Sequence, residues 1–275
     1  QKKSFRRRLY AGLAFAAIIT CIAIVWLNAG SGAVEKPTVN KKLSEISTRN
    51  GSRTRINLPD GSVVWLNAGS RLVYDKDFDS KLREVSLTGE AYFDVVKNPD
   101  KPFIIHAGKM DIKVLGTLFN VKSYPEEKIT EASLIRGSIE VIIRDRPAEK
   151  IILKPNEKIV VADEVSQAVV KNTKLPERNE PIVAISHLSY EPNDSTILET
   201  SWVEHKLIFR DESFKDLAVR LERWYGVVIR FENRKAQDLR LTGTLTHESI
   251  REALAALKIT GGFNYSINDT TVIIH

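Results

Sequence analysis

The chain is poor in sulfur and has almost no excess charge outside its first residues. Its single cysteine, Cys21, excludes a disulfide framework and a cysteine-based zinc site. Acidic residues are missing from positions 1–34, which hold five of the 41 lysines and arginines. The rest is nearly neutral, with 36 basic and 35 acidic residues. Because binding to a phosphate backbone needs a clustered excess of positive charge, this balance argues against a nucleic-acid partner.

One long uncharged run lies near the N-terminus, from Leu9 to Leu27. A helix of this length spans about 28 Å, close to the ~30 Å hydrocarbon core of a bilayer. The basic residues of segment 1–8 precede it. The positive-inside rule therefore predicts a single-pass inner-membrane protein with a cytoplasmic N-terminus and a periplasmic remainder, residues 28–275. The alternative is a signal peptide cleaved near Ala29 or Ala33.

After a polar tether at 28–42, residues 43–170 have the pattern of many short strands. Apolar residues alternate or cluster in short runs, which turn signals such as Asn50-Gly51 and Pro59-Asp60-Gly61 separate. No apolar stripe of three helical turns occurs in this region. The pattern predicts an antiparallel β-sandwich or jelly roll. A polar segment at 171–200 is predicted to be a linker with one short strand at 182–185.

Residues 201–275 have an α+β pattern instead. Two stretches place apolar residues at helical spacing, and they begin at Phe214 and Ile250. Asp211 and Thr246 are the predicted N-caps. The predicted C-terminal stops are two glycines, Gly226 and Gly261.

This module also repeats itself. Glu212-Ser213-Phe214-Lys215-Asp216 recurs 36 residues later as Glu248-Ser249-Ile250-Arg251-Glu252. The repeat predicts a small two-layer domain in which two β-α-β units pack their helices on one sheet.

Several motifs resemble those of the FecR domain family. They are Leu58-Pro59-Asp60-Gly61-Ser62, Leu66-Asn67-Ala68, Gly89-Glu90-Ala91-Tyr92-Phe93, Val114-Leu115-Gly116-Thr117 and Phe119-Asn120-Val121. The segment from Trp202 resembles the domain that follows FecR domains in Bacteroidetes-type members, and is similar to the secretin-and-TonB short N-terminal fold. The family usually has glycine where this chain has Asn156 and His205.

The resemblance implies an inner-membrane anti-sigma factor that regulates an extracytoplasmic-function sigma factor. A cytoplasmic segment, expected before Gln1, would bind the sigma factor. The periplasmic part would receive a signal from the signalling domain of a TonB-dependent outer-membrane transporter. Whether the exported half inhibits or activates stays open. A hypothesis from another class is a membrane-tethered periplasmic carbohydrate-binding or envelope-assembly module.

The resemblance also implies one possible reaction. Some family members cut themselves at this Gly-Thr bond by an N→O acyl shift, which here would be the bond between Gly116 and Thr117. Thr117 supplies a hydroxyl beside the scissile carbonyl, and Gly116 can adopt a strained backbone. The alternative is a bulge glycine followed by a strand threonine. Gly243-Thr244 shows that the dipeptide alone is not diagnostic.

No other constellation predicts chemistry, so we expect no enzyme activity, cofactor or metal. The five histidines lack the spacing of metal ligands. Asp75, Asp77 and Asp79 lack the glycine and glutamate of an EF-hand loop. Two strand aromatics, Trp65 and Tyr92, are expected either in the core or facing a sugar.

The predicted partner surface lies on the C-terminal module. A small sheet with an open edge can accept a strand from another protein. The expected edge strands are 207–209 and 272–274, and two aromatic residues at the end of the first helix are expected either in the core or as anchors for the partner. The residues concerned are Leu207, Ile208, Phe209, Trp224, Tyr225, Val272, Ile273 and Ile274.

Overall fold

A computed structural model describes residues 18–26, 43–75, 78, 83–162, 182–192 and 194–275. The chain divides into two compact units, Gln1–Lys41 and Lys42–His275. In the first unit, residues 18–26 are helical. Within the described ranges, no helix has the length and apolar character needed to cross a membrane.

The predicted flank, tether and most of the predicted span lie outside the described residues. The transmembrane helix at 9–27 therefore stays a prediction.

Thirteen strands in the described part of the second unit form one curled β-sheet. They are β1 Leu43–Ser47, β2 Thr54–Asn57, β3 Val63–Leu66, β4 Arg71–Asp75, β5 Arg83–Asp94, β6 Phe103–Ala107, β7 Met110–Val114, β8 Leu118–Ser123, β9 Ile129–Arg136, β10 Ile139–Ile143, β11 Arg146–Leu153, β12 Glu157–Ala162 and β13 Ile182–His187. The mainly β prediction for this region is confirmed.

The long strand β5 joins two halves of the sheet. Its first half pairs with β4 and β6, and its second half pairs with β3 and β8. Gly89 lies where the pairing changes, with a φ of +97°. A Cβ atom there would stand 2.3 Å from the Ser70 Oγ atom. Glycine is therefore required, because a side chain would meet both backbone strain and a steric clash.

Both halves contribute to one apolar core. Alternate residues of β6 and β7 are buried, and the ring of Phe93 stacks on that of Phe119 with 5.1 Å between centroids. The sheet is not wholly antiparallel as predicted, because β5 and β6 run parallel. Whether its halves form the two sheets of a sandwich stays a prediction.

Part of the predicted linker belongs to this fold. The expected strand at 182–185 is present as β13, and it pairs antiparallel with β12. A 3₁₀ helix follows at Leu198–Glu204 and ends at His205, whose φ is 62°. Asn156 has a φ of 70°. Both residues therefore adopt the left-handed conformation that glycine would take at these positions. Residues 171–181 lie outside the described residues.

The C-terminal domain contains the two predicted helices. Its elements are β14 Leu207–Ser213, α1 Phe214–Tyr225, β15 Val228–Phe231, α2 Arg234–Gln237, β16 Arg240–Leu245, α3 Ile250–Gly261, β17 Tyr265–Asn268 and β18 Thr271–Ile274.

The sheet arrangement differs from the prediction. The first strands of the two repeats, β14 and β16, pair in one sheet, whereas the second strands, β15 and β17, flank β18 in another. The predicted single sheet is therefore wrong. The repeat is nevertheless present, because each half contains a strand, a long helix and a second strand in the same order. Both sheets and both long helices share one apolar core.

Three of the four predicted helix caps shift along the chain. The N-caps are Ser213 and Ser249, because β14 continues through Ser213 and the serine hydroxyls accept hydrogen bonds from backbone N–H groups of the first turn. The predicted caps Asp211 and Thr246 are therefore wrong. Gly226 is confirmed as a C-cap. The C-cap of α3 is Gly262 instead of the predicted Gly261, which is still helical.

We expect Gly89→Ala to lower the free energy of unfolding by at least about 3 kcal/mol, because the methyl group adds a clash with Ser70 to backbone strain. The matched control is Gly262→Ala. Gly262 has a φ of +67°, but nothing lies within 4 Å of an added Cβ, so only about 1 kcal/mol should be lost. Urea unfolding followed by circular dichroism measures both. Equal losses would show that the approach of Ser70 does not constrain β5.

Candidate functional site

Three polar side chains from separate motifs meet inside the sheet. The Glu90 carboxylate accepts hydrogen bonds from the side-chain amides of Asn67, at 2.7 Å, and Asn120, at 3.0 Å. All three residues are buried. Glu90 lies on β5, Asn120 lies on the neighbouring strand β8, and Asn67 directly follows β3, which also pairs with β5. The motifs that resemble FecR therefore converge on one hydrogen-bond network.

This network extends to the C-terminal part of the chain. The indole Nε1 of Trp202, in the 3₁₀ helix, donates to the Asn120 Oδ1 atom at 3.2 Å. On the other side, the Arg53 Nε atom donates to the Asn67 Oδ1 atom at 3.1 Å. The Arg53 guanidinium also lies 3.6 Å from the ring centroid of Trp224 in α1. The sheet and the C-terminal domain are therefore joined by polar contacts.

Arg223 of α1 is the centre of the junction between these domains. Its Nη1 atom donates to the Glu126 Oε1 atom at 2.8 Å, and its Nη2 atom contacts the Glu127 carboxylate. The guanidinium lies 3.8 Å from the ring centroid of Tyr124. The Arg223 carbonyl accepts a hydrogen bond from the Gly51 N–H at 2.7 Å. One residue of the C-terminal domain thus contacts two separate turns of the sheet.

The charges at the junction are mutually dependent. Burial by itself would raise the pKa of Glu127, but the neighbouring charges of Lys122 and Arg223 outweigh it and hold that pKa below its ordinary value. The Lys122 Nζ atom lies 2.7 Å from the Glu127 Oε2 atom. Burial also raises the pKa of Tyr124, which stays neutral beneath the guanidinium.

A cavity of about 400 Å³ lies between the sheet and the C-terminal domain. A small charged cluster lines it. The Lys158 Nζ atom is 2.6 Å from the Glu199 Oε1 atom but 4.0 Å from the Glu131 Oε2 atom. Burial raises the pKa of Glu131, because the longer contact with Lys158 does not offset it.

Four predicted partner residues lie at this junction. Leu207, Ile208 and Phe209 are buried on β14 and line the cavity, so their side chains do not form an outer surface. Trp224 lies beneath Arg53 and also lines the cavity. Tyr225 packs against the core of the domain, and its hydroxyl donates to the Glu248 carbonyl at 3.0 Å. Burial raises the pKa of Tyr225 to about 12.

The predicted edge strand 272–274 is not an edge. Strand β18 lies between β15 and β17, so the prediction for Val272, Ile273 and Ile274 is wrong in this respect. Strand order depends on contacts distant in sequence, which a local pattern does not contain. Val272 and Ile274 are also fully buried.

Of the two strands that flank β18, β15 has an outward N–H group that is already hydrogen-bonded. The Ile229 N–H donates to the Glu222 Oε1 atom of α1 at 2.6 Å. On β17 the outward groups are different. In an antiparallel pair, consecutive residues direct their main-chain N–H and C=O groups alternately toward and away from the neighbouring strand. The His275 N–H donates to the Asn264 carbonyl, so Asn264 faces β18, whereas the main-chain groups of Tyr265 and Ile267 point away from it.

Gly116 and Thr117 lie between β7 and β8. Gly116 has a φ of +155°, and a Cβ atom there would stand 2.6 Å from the Lys97 Cα atom. Thr117 is buried, and its hydroxyl donates to the Ser138 carbonyl at 3.0 Å. The backbone conformation that only glycine can adopt and the adjacent hydroxyl are therefore both present.

The remaining candidate residues from the sequence do not meet in one site. Trp65 and Tyr92 form a half-buried cross-strand pair with 5.5 Å between ring centroids. Asp77 and Asp79 lie outside the described residues. Among the described residues, no group of three His, Cys, Asp or Glu side chains is placed to hold a metal ion.

Sequence reasoning missed the pairing of Arg223 with the two glutamates and the link from Trp202 to Asn120. One signal was present in the sequence. Glu90 and Asn120 are polar residues within apolar strands, Asn67 directly follows one, and buried polar residues need partners.

The two domains correspond to a known family of proteins. The FecR protein domain matches residues 44–140, and the FecR C-terminal domain matches residues 206–274. The chain belongs to the FecR family, as its motifs predicted.

Two crystal structures from Parabacteroides distasonis ATCC 8503, each described as a candidate anti-sigma factor, are 29% identical to this chain. One has a TM-score of 0.68 and covers 84% of this chain and 98% of its own. The other has a TM-score of 0.69, with 85% and 98% covered. No curated protein matches the chain.

We expect Glu127→Gln to lower the free energy of unfolding by about 2 kcal/mol at pH 7, because Arg223 loses a buried partner. Since the pKa of Glu127 is lowered by folding, its contribution is complete above the unfolded value near 4.5 and is lost as pH falls through the folded value. The difference between wild type and variant should therefore vanish in acid. Urea unfolding at several pH values measures it.

The control is Glu126→Gln, which removes the other carboxylate that contacts Arg223. Glu126 is about half exposed, so less than about 1 kcal/mol should be lost. Equal effects of the two substitutions, or a difference that persists unchanged below pH 3, would contradict the junction described above.

Proposed function

We propose that this chain is a single-pass anti-sigma regulator that relays a periplasmic signal to an extracytoplasmic-function sigma factor. The observation that carries the proposal is the pair of FecR domains in a chain that is similar over most of its length to two candidate anti-sigma factors. The sigma factor would bind a cytoplasmic segment joined to the predicted transmembrane helix. The signal would come from a TonB-dependent transporter.

The junction supplies a physical route for such a signal. Arg223 and Trp224 of α1 contact Gly51 and Arg53, which follow β1 closely in the chain. Strand β1 is the first described element after the predicted tether. A partner that moves α1 would therefore act on the segment nearest to the predicted membrane anchor.

The membrane arrangement rests on the uncharged run at 9–27 and the basic residues before it. The helical conformation of residues 18–26 supports it. The full chain with alkaline phosphatase fused after His275 should be active in cells, whereas a fluorescent protein that folds only in the cytosol should be dark there. The opposite pair of results would reject this topology.

For the transporter, the best-placed surface is the outer edge of β17. Its main-chain groups at Tyr265 and Ile267 have no neighbouring strand in the described part of the chain. A strand from the transporter's signalling domain can add there. The core position of β18 makes that strand unsuitable.

We expect Ile267→Pro to weaken binding of the cognate transporter's signalling domain at least tenfold, because proline removes an outward N–H group and obstructs the edge. Isothermal titration calorimetry on the full chain measures the affinity. The control is Ile152→Pro, on the distant edge strand β11, which should bind like wild type. Circular dichroism confirms that each variant is folded. Unchanged binding by folded Ile267→Pro would exclude the β17 edge.

Self-cleavage at Gly116–Thr117 is a second candidate activity, favoured by the φ of Gly116 and the position of the Thr117 hydroxyl. The Thr117 Oγ1 atom would attack the Gly116 carbonyl carbon and form an ester while the amide nitrogen leaves and takes the hydroxyl proton. Water would then hydrolyse the ester and release a Gly116 carboxylate and a Thr117 amine.

We expect intact mass spectrometry to find two fragments that meet at this bond. Thr117→Ser should still be cut, because it keeps the hydroxyl, whereas Thr117→Ala should remain whole. A wild-type chain that stays whole after long incubation would exclude the reaction without affecting the proposed regulatory role.

A further inference from the structure

The first residue of β5, Arg83, is buried although it carries a charge. Its side chain is 1% exposed and that of its ion-pair partner Asp60 is 4% exposed, with 3.1 Å between the Nη1 and Oδ2 atoms. A buried charged pair is unfavourable unless further hydrogen bonds satisfy its remaining polar groups. The other donors of Arg83 therefore need partners, and these partners show what the pair holds in place.

All of these partners are carbonyl groups of one loop, residues 95–102, which joins β5 to β6. The Arg83 Nε atom donates to the Lys101 carbonyl at 2.7 Å. The Nη1 and Nη2 atoms donate to the carbonyls of Val96, at 2.9 Å, and Asn98, at 3.2 Å. One guanidinium thus binds three carbonyls of the same loop, which a lysine ammonium on a flexible stem cannot reproduce.

A buried serine holds the same loop near its start. The Ser62 Oγ atom accepts a hydrogen bond from the Val96 N–H at 3.1 Å and donates to the Asp60 Oδ2 atom at 2.7 Å. The Ser62 N–H also donates to the Asp60 Oδ1 atom at 2.9 Å. Asp60 and Ser62 belong to the first motif that resembles FecR, so this motif and Arg83 form one buried anchor for the loop.

The anchored loop is hydrogen-bonded on both sides of Gly116. The Asn98 N–H donates to the carbonyl of the preceding residue, Leu115, at 2.7 Å. The Val95 N–H donates to the carbonyl of the following residue, Thr117, at 3.0 Å. The loop therefore fixes both ends of the segment that contains the candidate cleavage bond.

Gly116 is also enclosed from two sides. The backbone of the loop approaches so closely that a Cβ atom at Gly116 would stand 2.6 Å from the Lys97 Cα atom. On another side, a Cβ atom at Gly137 would stand 3.0 Å from both the Gly116 carbonyl oxygen and the Thr117 Oγ1 atom. The two oxygens that take part in the acyl shift therefore face the same point, and the absence of a side chain at Gly137 leaves room for them.

The bond is also accessible to water. Gly116 and Thr117 line an apolar cleft of about 380 Å³, together with Leu115 and Ile152. Leu115 and Ile152 are 44% and 55% exposed, so this cleft is open to solvent. Water can therefore reach an ester that forms at Gly116.

We propose that Arg83 is a positioning residue for self-cleavage at the Gly116–Thr117 bond. Its guanidinium fixes the loop, and the loop holds Gly116 so that the Thr117 Oγ1 atom lies beside the carbonyl carbon that it attacks. The Oγ1–C bond forms as the C–N bond breaks, and the hydroxyl proton passes to the departing nitrogen. Small misplacements of reacting atoms slow such a step greatly. The proposal rests on the cleavage proposed above and not on the anti-sigma role.

The test follows cleavage of the full chain by intact mass spectrometry. Arg83→Lys keeps the charge beside Asp60 but cannot bind three carbonyls, so it should be cut at least tenfold more slowly than wild type while circular dichroism shows a folded protein. The control is Gly89→Ala, which is expected to be less stable but lies outside the loop and should be cut at the wild-type rate. Equal slowing of both variants would show that Arg83 only stabilises the fold, and would overturn the proposal.

Hydroxylamine separates formation of the ester from its hydrolysis. It attacks the ester and leaves a hydroxamate at Gly116, so the yield of this product measures how much ester forms. Arg83→Lys should reduce cleavage by hydroxylamine as much as cleavage by water. Restoration of the wild-type rate by hydroxylamine would show that Arg83 acts on hydrolysis instead of positioning, and would overturn the proposal.

Ser62→Ala loosens the same loop while Arg83 stays in place, so it decides the matter if Arg83→Lys does not fold. It removes the hydroxyl that binds the Val96 N–H and should slow cleavage at least threefold. A wild type that is cut no faster than folded Ser62→Ala or folded Arg83→Lys would overturn the role of the anchor alone. A wild-type chain that stays whole even with hydroxylamine would overturn the cleavage and the role of Arg83 together.

Discussion

The burial of one guanidinium group determines how the two domains of this protein are joined. Removing Arg223 from water is unfavourable unless carboxylates and an aromatic ring replace the lost hydration. Glu126, Glu127 and Tyr124 supply these groups, and all three belong to the large sheet. The C-terminal domain therefore buries a positive charge that side chains of the large sheet balance. A junction of this kind is specific in geometry and sensitive to the loss of either partner.

The motif residues have a structural role that leads to the same junction. Asn67, Glu90 and Asn120 satisfy one another across three strands and then bind Arg53 and Trp202. Replacing any of them would leave a buried polar group unpaired, which costs more than the lost hydrogen bond itself. The network thus sets the position of the 3₁₀ helix that leads into the C-terminal domain. The aromatic faces at this junction are covered by guanidinium groups, which leaves little for a sugar to stack on.

The sequence predicted what depends on local spacing. The strand alternation, the two helices from Phe214 and Ile250, and the repeat that relates them are all present. It did not predict what depends on distant pairing. Arg223 and Glu126 are 97 positions apart, and no local pattern connects them. The prediction that β18 is an edge strand was wrong for the same reason, because the order of strands depends on contacts across the whole domain. The N-cap of α1 lies at Ser213 instead of Asp211, because β14 continues through Ser213 by pairing with β16.

The strand edges show where this architecture permits recognition. An unpaired edge risks aggregation, so folded proteins usually cover or interrupt it. At β15, the Glu222 carboxylate accepts a hydrogen bond from the outward N–H group of Ile229. On β11, Pro147 lies near the start of the strand, while Ile152 is exposed beside an apolar cleft. In the described part of the chain, β11 of the large sheet and β17 of the C-terminal domain each pair with one strand only. A strand added at such an edge would hydrogen-bond to main-chain groups that have no strand beside them in the described part of the chain.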